Sequence, residues 1–251
     1  MTEYDASVST YTLTRQADPR IAAAIERGLG DAHSVVNVGA GTGSYEPAGR
    51  EVIAVEPSAT MRGQRPAGAA PAIDAKAEAL PLEDSSVDAA LAILTVHHWD
   101  DPARGLAELC RVARDRVVIL TFDPDQCGTL WFVRDYLPEA GAFDRGRFQA
   151  MAEVEVALTG RTRVERVPIP HDCSDGFLGA FWRRPERYLE PVTRKGISTF
   201  RELDAAVVER AIERLRLDIA SGAWRRNYGG LLGLEELDLG YRLVVSEMSS
   251  R

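Results

Sequence analysis

The sequence predicts an α/β fold, a mostly parallel sheet with helices on both faces, and three observations carry that prediction. Four short apolar runs, "VVNV", "EVIAV", "VDAALAILTV" and "RVVILTF", lack the polar alternation of a half-exposed strand and suit parallel strands covered on both sides. Helical patterns flank and separate these runs, and a right-handed β-α-β series on one sheet follows. Three glycines, Gly39, Gly41 and Gly43, fall within five positions where the first strand hands over to a helix. With 251 residues, 45% of them hydrophobic and 27% charged, the chain suffices for one such domain, alone or carrying a large insertion.

Each element has a local cause. "DPRIAAAIERGLG" reads as a helix that Asp18 can cap, with Pro19 in its first turn and Gly28 and Gly30 closing it. The four apolar runs give strands over 35–38, 51–55, 87–96 and 116–122. Between the last two, "DPARGLAELCRVAR" places Leu106, Leu109, Cys110 and Ala113 on one helical face. Downstream, "FDRGRFQAMAEVEVALTG" reads as a helix, "TRVERVPIP" as a strand and "YRLVVSEM" as a final strand. If the last two strands pair as the antiparallel end of the sheet, the mostly helical stretch from His171 to Leu239 is an insertion that the core does not need. The expected division is therefore a core over 1–170, an insertion over 171–239 and a returning strand over 240–251. Insertions of this size usually carry specificity.

Composition excludes several classes of function. The formal net charge of −8 argues against a broad basic surface for phosphate backbones, so nucleic acid is not the expected partner. A local patch remains, since Arg183, Arg184, Arg187, Arg194 and Lys195 fall close together in "FWRRPERYLEPVTRK"; it reads either as a binding patch or as a solvated helix face. Three scattered cysteines, Cys110, Cys127 and Cys173, form neither a disulfide framework nor a metal knuckle, and no metal is expected. No run is long enough for a membrane span, and the first ten residues lack the marks of a signal peptide. The expectation is a cytoplasmic protein, monomeric or homodimeric, without a membrane partner.

The glycine turn points to a nucleoside. Its spacing is G-x-G-x-G, whereas a dinucleotide fingerprint places its third glycine where Ser44 stands, and no Walker lysine follows. Glycines there permit positive φ and close backbone approach to a ligand. Glu56 ends the next strand, where a carboxylate can accept bonds from both ribose hydroxyls. The turn therefore suits a nucleoside without a diphosphate.

With "VVNVGAGTGSY", "VIAVEPS", "AEALPLEDSSVDAALAILTVHHWDD" and "LAELCRVARDRVVILTFDP" in register, the chain resembles the class I S-adenosylmethionine-dependent methyltransferases. It is most similar to the branch of ubiquinone and menaquinone biosynthesis methyltransferases and trans-aconitate methyltransferase. The resemblance spans residues 10–124. It implies a Rossmann-like, seven-stranded, mostly parallel sheet whose last strand is antiparallel and preceded by a helical insertion. It also implies S-adenosyl-L-methionine as cofactor. By the same resemblance, Gly39, Ala40 and Gly41 pack against the methionine portion and ribose, and Glu56 holds the ribose hydroxyls. Pro57 follows the acid, Met61 packs on adenine, and Ala77 and Glu78 lie in the loop that reads the adenine edge. Lys76 stands where relatives carry an acid for the adenine amino group. Tyr11 and Arg15 match a leader that closes over the cofactor, with Arg15 clamping the methionine carboxylate or, alternatively, lying in a frayed surface segment. Thr95 sits where relatives approach the sulfonium.

Methyl transfer is an in-line displacement, so an enzyme must mainly align the nucleophile and shed water, with a base needed only for a protonated acceptor. "LTVHHWDD" sets His97 and His98 just beyond the fourth strand, at the carboxyl edge where open α/β sheets place ligands. Either histidine can take the proton, or the pair shapes the loop. The Asn-Pro-Pro-aromatic signature of many amino-group methyltransferases is absent here, which disfavours nucleobase and amide acceptors. In the insertion, His171, Phe177, Phe181 and Trp182 are candidate acceptor contacts, beside Tyr188, Trp224 and Tyr228. Plain packing is the alternative for these aromatics. The expected function is methyl transfer to an oxygen or carbon of a small molecule. RNA or protein methylation, a catalytically silent cofactor-binding protein and a nicotinamide dehydrogenase are the competing readings.

Overall fold

The computed structural model describes residues 15–248, which form two compact units. One comprises residues 19–124, 147–167 and 241–248; the other comprises 125–146 and 168–240 together with 15–18.

The first unit is built on a seven-stranded sheet in the order β3-β2-β1-β4-β5-β9-β6. Its strands are β1 (Ser34–Val38), β2 (Glu51–Val55), β3 (Ala72–Ile73), β4 (Val87–Ile93), β5 (Ala113–Phe122), β6 (Arg161–Arg166) and β9 (Tyr241–Glu247). The first five pair in parallel, and β1 lies between β2 and β4, with Val36 opposite both Ile53 and Ala90. β9 runs antiparallel to both β5 and β6, setting Leu120 opposite Leu243 and Val164 opposite Val244. Val36, Ala90, Val117, Ile119 and Val244 are buried in one cluster with Leu106, Leu109 and Val112 of the helix that covers them. Runs without polar alternation are thus strands with both faces covered.

Helix α1 (Pro19–Leu29) buries Ile21, Ala24, Ile25 and Leu29. Gly28, expected to close it, lies inside it: a Cβ there would come within 3.2–3.3 Å of Val118, Leu243 and Val245, so the glycine lets the helix settle on β5 and β9. Gly30, at φ +53°, makes the stop. After α2 (Ala59–Gly63), helix α3 (Pro102–Val112) is capped by Asp101, which accepts from the Arg104 N–H at 3.0 Å. Its buried face is Leu106, Leu109 and Val112; Cys110 is only partly buried and Ala113 already belongs to β5.

Two boundaries differ from the periodicity in ways that matter to the site. The expected strand 87–96 ends at Ile93, because Leu94 takes φ +48° and Val96–His98 form a 3-10 turn. The expected single helix after Phe143 is broken, α4 (Pro138–Arg147) ending before Phe148 and α5 (Met151–Ala157) starting after Ala150.

The second unit contains a two-stranded antiparallel pair, β7 (Ile169–Pro170) with β8 (Glu236–Leu237), and short helices. These are α6 (Pro191–Lys195), α7 (Ser198–Glu202), α8 (Ala205–Ala220) and α9 (Ala223–Tyr228). α8 buries Val208, Ala211, Ile212 and Leu215, the i, i+3, i+4, i+7 stripe of an amphipathic helix. Its aromatic centre recruits residues 125–146, which the sequence assigned to the core: Trp131 packs edge-on to Tyr188 and Trp224 at 5.8 and 5.4 Å between ring centroids. Trp131 also donates Nε1–H to the Trp182 carbonyl at 2.7 Å. Among the described residues, no helix is long and apolar enough to cross a membrane.

Candidate active site

The glycine turn follows β1 and is held by hydrogen bonds from every side. Gly39 and Ala40 donate backbone N–H groups to the Val55 carbonyl at 2.8 and 3.0 Å. Gly39 adopts φ +70° and Gly41 φ +52°, the left-handed region that favours glycine. A Cβ on Gly39 would overlap the Thr95 hydroxyl, so Thr95, buried at the end of β4, packs directly on the turn. At Gly41 the same Cβ would meet nothing within 4 Å, leaving the peptide open to a ligand.

Glu56 closes the arrangement. It is 7% exposed, its Oε2 accepts from Gly41 N–H at 2.8 Å, and its Oε1 accepts from Ser58 N–H at 2.8 Å. Each carboxylate oxygen keeps a lone pair, so the group can also receive two hydroxyls. Ser58 in turn caps α2 by accepting from Met61 N–H at 3.3 Å, and Pro57 is exposed between them. Ala77 is buried in the core, and Glu78 accepts from the Asp101 N–H at 3.0 Å. Lys76 pairs with Asp100 at 2.6 Å on the surface.

His97 and His98 have different environments. The His97 ring lies 4.0 Å from the rings of both His98 and Phe148, and its buried Nδ1 has no partner among the described residues. Burial, reinforced by His98 and Arg147, pushes its pKa down to about 2, so the ring is neutral at physiological pH. His98 is exposed. The rings continue along the strand ends: Phe148 to Phe122 at 5.3 Å, and Phe122 to Tyr241 at 5.5 Å. Gln149 adds a second buried polar atom without a partner, Oε1. Phe122, Phe148, Gln149 and Tyr241 carried no signal in the sequence, because the break between α4 and α5 and the β5–β9 pairing that align them are not local.

His97 makes stability pH-dependent. The unfolded imidazole protonates near 6.5 and the folded one only near 2, so between those values the unfolded chain binds the extra proton and stability falls as pH falls. Denaturant melts at pH 7 and pH 5 are expected to differ by about 2 kcal/mol through this group. In His97→Phe that difference should shrink by the same amount; an unaltered pH dependence would show that His97 titrates normally.

The remaining predicted residues lie in the second unit. Arg15 spends Nε and Nη2 on the buried Asp175 carboxylate at 2.5 and 3.2 Å, and Tyr11 lies outside the described residues. His171 pairs with Glu235 at 3.3 Å. Phe177 is buried, and Phe181 meets the Tyr188 ring edge-on at 5.8 Å beneath the Arg184 and Arg187 guanidinium groups. Trp182 has no exposed surface and donates Nε1–H to the Ile169 carbonyl at 3.0 Å. In the basic run, Arg183, Arg184 and Arg194 donate to the backbone carbonyls of Leu234, Cys173 and Tyr188, so most of its charge braces loops.

Fold and turn together define a doubly wound α/β protein with a glycine turn and a strand-end carboxylate at the carboxyl ends of β1, β2 and β4, where the strand order reverses and such sheets place their ligands. A family model described as a methyltransferase domain matches residues 36–121. A solved structure from Anabaena variabilis, named as a proposed methyltransferase from an antibiotic biosynthesis pathway, is 36% identical with a TM-score of 0.86. That match covers 93% of this chain and 98% of the other. Uncharacterized methyltransferases of Mycobacterium bovis and Mycobacterium tuberculosis are 36% identical over 112 residues, 41% of this chain and 42% of theirs. The match thus spans less than half the length of these curated relatives. An S-adenosylmethionine-dependent methyltransferase of Thermotoga maritima shares the fold at 18% identity and a TM-score of 0.56, over 98% of this chain and 95% of its own. The chain belongs to the class I S-adenosylmethionine-dependent methyltransferases. S-adenosylmethionine is the family's cofactor, and the open Gly41 peptide beside a carboxylate with spare lone pairs fits its ribose.

Proposed function

We propose that this protein transfers a methyl group from S-adenosylmethionine to an oxygen or carbon nucleophile of a small molecule seated against the rings at the strand ends. The observation that carries the reading is the continuous row from His97 through Phe148 and Phe122 to Tyr241, along β4, β5 and β9. Thr95 ties the start of this row to the glycine turn, so an acceptor lying on the rings would adjoin a cofactor held by Gly39–Gly41 and Glu56.

The bound cofactor supplies a methyl group activated by a positively charged sulfur. The chain's part is to hold an acceptor in line and exclude water. Flat rings suit a planar or apolar body, and the two buried polar atoms, His97 Nδ1 and Gln149 Oε1, suit a hydroxyl that orients it. His97, kept neutral by burial, positions rather than deprotonates. His98, exposed beside it, receives the proton when the nucleophile carries one. The net charge of −8 opposes a nucleic-acid acceptor, and the antibiotic-pathway description of the Anabaena variabilis relative supports a small organic one. Scattered cysteines suit the reducing cytoplasm.

The test is labelled S-adenosylmethionine supplied with a metabolite extract, and separately with total RNA and total protein, followed by mass spectrometry of the labelled product. A labelled small molecule is expected; label in RNA or protein overturns the reading, as does no transfer at all. With that acceptor, Phe148→Ala should lower kcat/KM by roughly 5- to 100-fold, as loss of a buried ring contact of about 1–3 kcal/mol predicts, while S-adenosylhomocysteine binding stays within about threefold.

A further inference from the structure

A largely enclosed ion pair lies against the glycine turn. Arg65 and Glu46 meet at 2.5 Å with only 5% and 12% of their side chains exposed. Arg65 Nη1 donates to the Gly41 carbonyl at 3.2 Å, with the Ala40 carbonyl at 3.5 Å, while Nε and Nη2 donate to the Ala70 carbonyl at 3.0 and 2.8 Å. Asn37, buried on β1, donates Nδ2–H to the same Glu46 oxygen at 3.3 Å. The Gly41 residue is therefore gripped at both ends, its N–H by Glu56 and its C=O by Arg65. Arg62, from the same short segment, donates to the Glu56 carbonyl at 2.7 Å.

We propose that Arg65 is a positioning residue for S-adenosylmethionine, acting through the glycine turn without touching the ligand, and that Glu46 orients it. A glycine turn has little side chain to restrain it, so an unbraced turn samples many backbone states and must be ordered when the cofactor arrives. The planar guanidinium spans two carbonyl sites and a carboxylate at once, which one ammonium cannot reproduce in that geometry. Preorganised in this way, the Gly41 peptide presents its open side to the nucleoside before binding. The inference concerns the cofactor turn alone and stands whatever the acceptor proves to be.

The test is calorimetric titration of the full chain with S-adenosylhomocysteine, acceptor absent, beside denaturant melts. Arg65→Lys and Arg65→Met are expected to weaken binding at least tenfold. Arg65→Met also strands the Glu46 charge, so the decisive variant is Glu46→Met combined with Arg65→Met, which removes both charges and restores apolar packing. This double variant, although it leaves the Asn37 amide and the Ala70 carbonyl without those partners, should still be folded at the assay temperature and remain at least tenfold weaker for S-adenosylhomocysteine. In turnover, the KM for S-adenosylmethionine should rise while that for the acceptor is unchanged. A folded double variant or Arg65→Lys chain that binds S-adenosylhomocysteine within twofold of the parent would overturn the proposal.

Discussion

Glu56→Ala is expected to weaken S-adenosylhomocysteine binding by about 3–4 kcal/mol, roughly two to three orders of magnitude. Two losses combine. The ribose loses a carboxylate that can accept both hydroxyls in charge-assisted bonds. The turn loses its own tie, because the same carboxylate joins the Gly41 and Ser58 N–H groups across the gap between β1 and α2. Glu56→Gln separates the two, since its amide oxygen can still accept from one of those N–H groups, and should fall between parent and alanine variant. Calorimetry on chains whose melts show that they are folded decides it. Parent-like affinity in Glu56→Ala would remove the residue from the cofactor site.

Trp182→Ala is expected to cost about 3–5 kcal/mol of stability, against the roughly 5–15 kcal/mol that holds most domains together. The ring is fully enclosed and its N–H satisfies the Ile169 carbonyl, so truncation leaves both a cavity and an unpaired buried acceptor. The melting temperature should drop by roughly 10 °C. On heating, cofactor binding and methyl transfer should fail together, whereas at low temperature S-adenosylhomocysteine affinity should remain within about threefold. A parent-like melt accompanied by selective loss of transfer would instead put Trp182 on the acceptor.

Local chemistry made half of the site legible. Apolar runs without alternation are strands because both faces must be covered. Gly39, Gly41 and Glu56 marked the tight turn and its closing carboxylate because positive φ and an acid at a strand end are demands met by residue type within some twenty positions of sequence.

What escaped the sequence depends on contacts between distant segments. Glu46 and Arg65 are nineteen residues apart and no periodicity links them; they meet because the chain leaving α2 after its Gln64 cap brings Arg65 against the loop after β1. Phe148 looked like the middle of a helix, and the break that turns its ring onto His97 follows Gly146, a signal that Gly28 and Gly105, which sit inside helices, make ambiguous. His97 and His98 are equivalent by position, and only the covering of one ring by Phe148 makes one neutral and leaves the other exposed. In the second unit, composition marked Phe177, Phe181 and Trp182 as aromatic but not as enclosed, since burial is settled by which partners arrive, here Trp131 from a distant stretch and Tyr188 folding back from the following turn. Residue type and spacing determined which backbone turn can hold a nucleoside; tertiary structure decided which side chains are desolvated, because that depends on neighbours the local pattern does not encode.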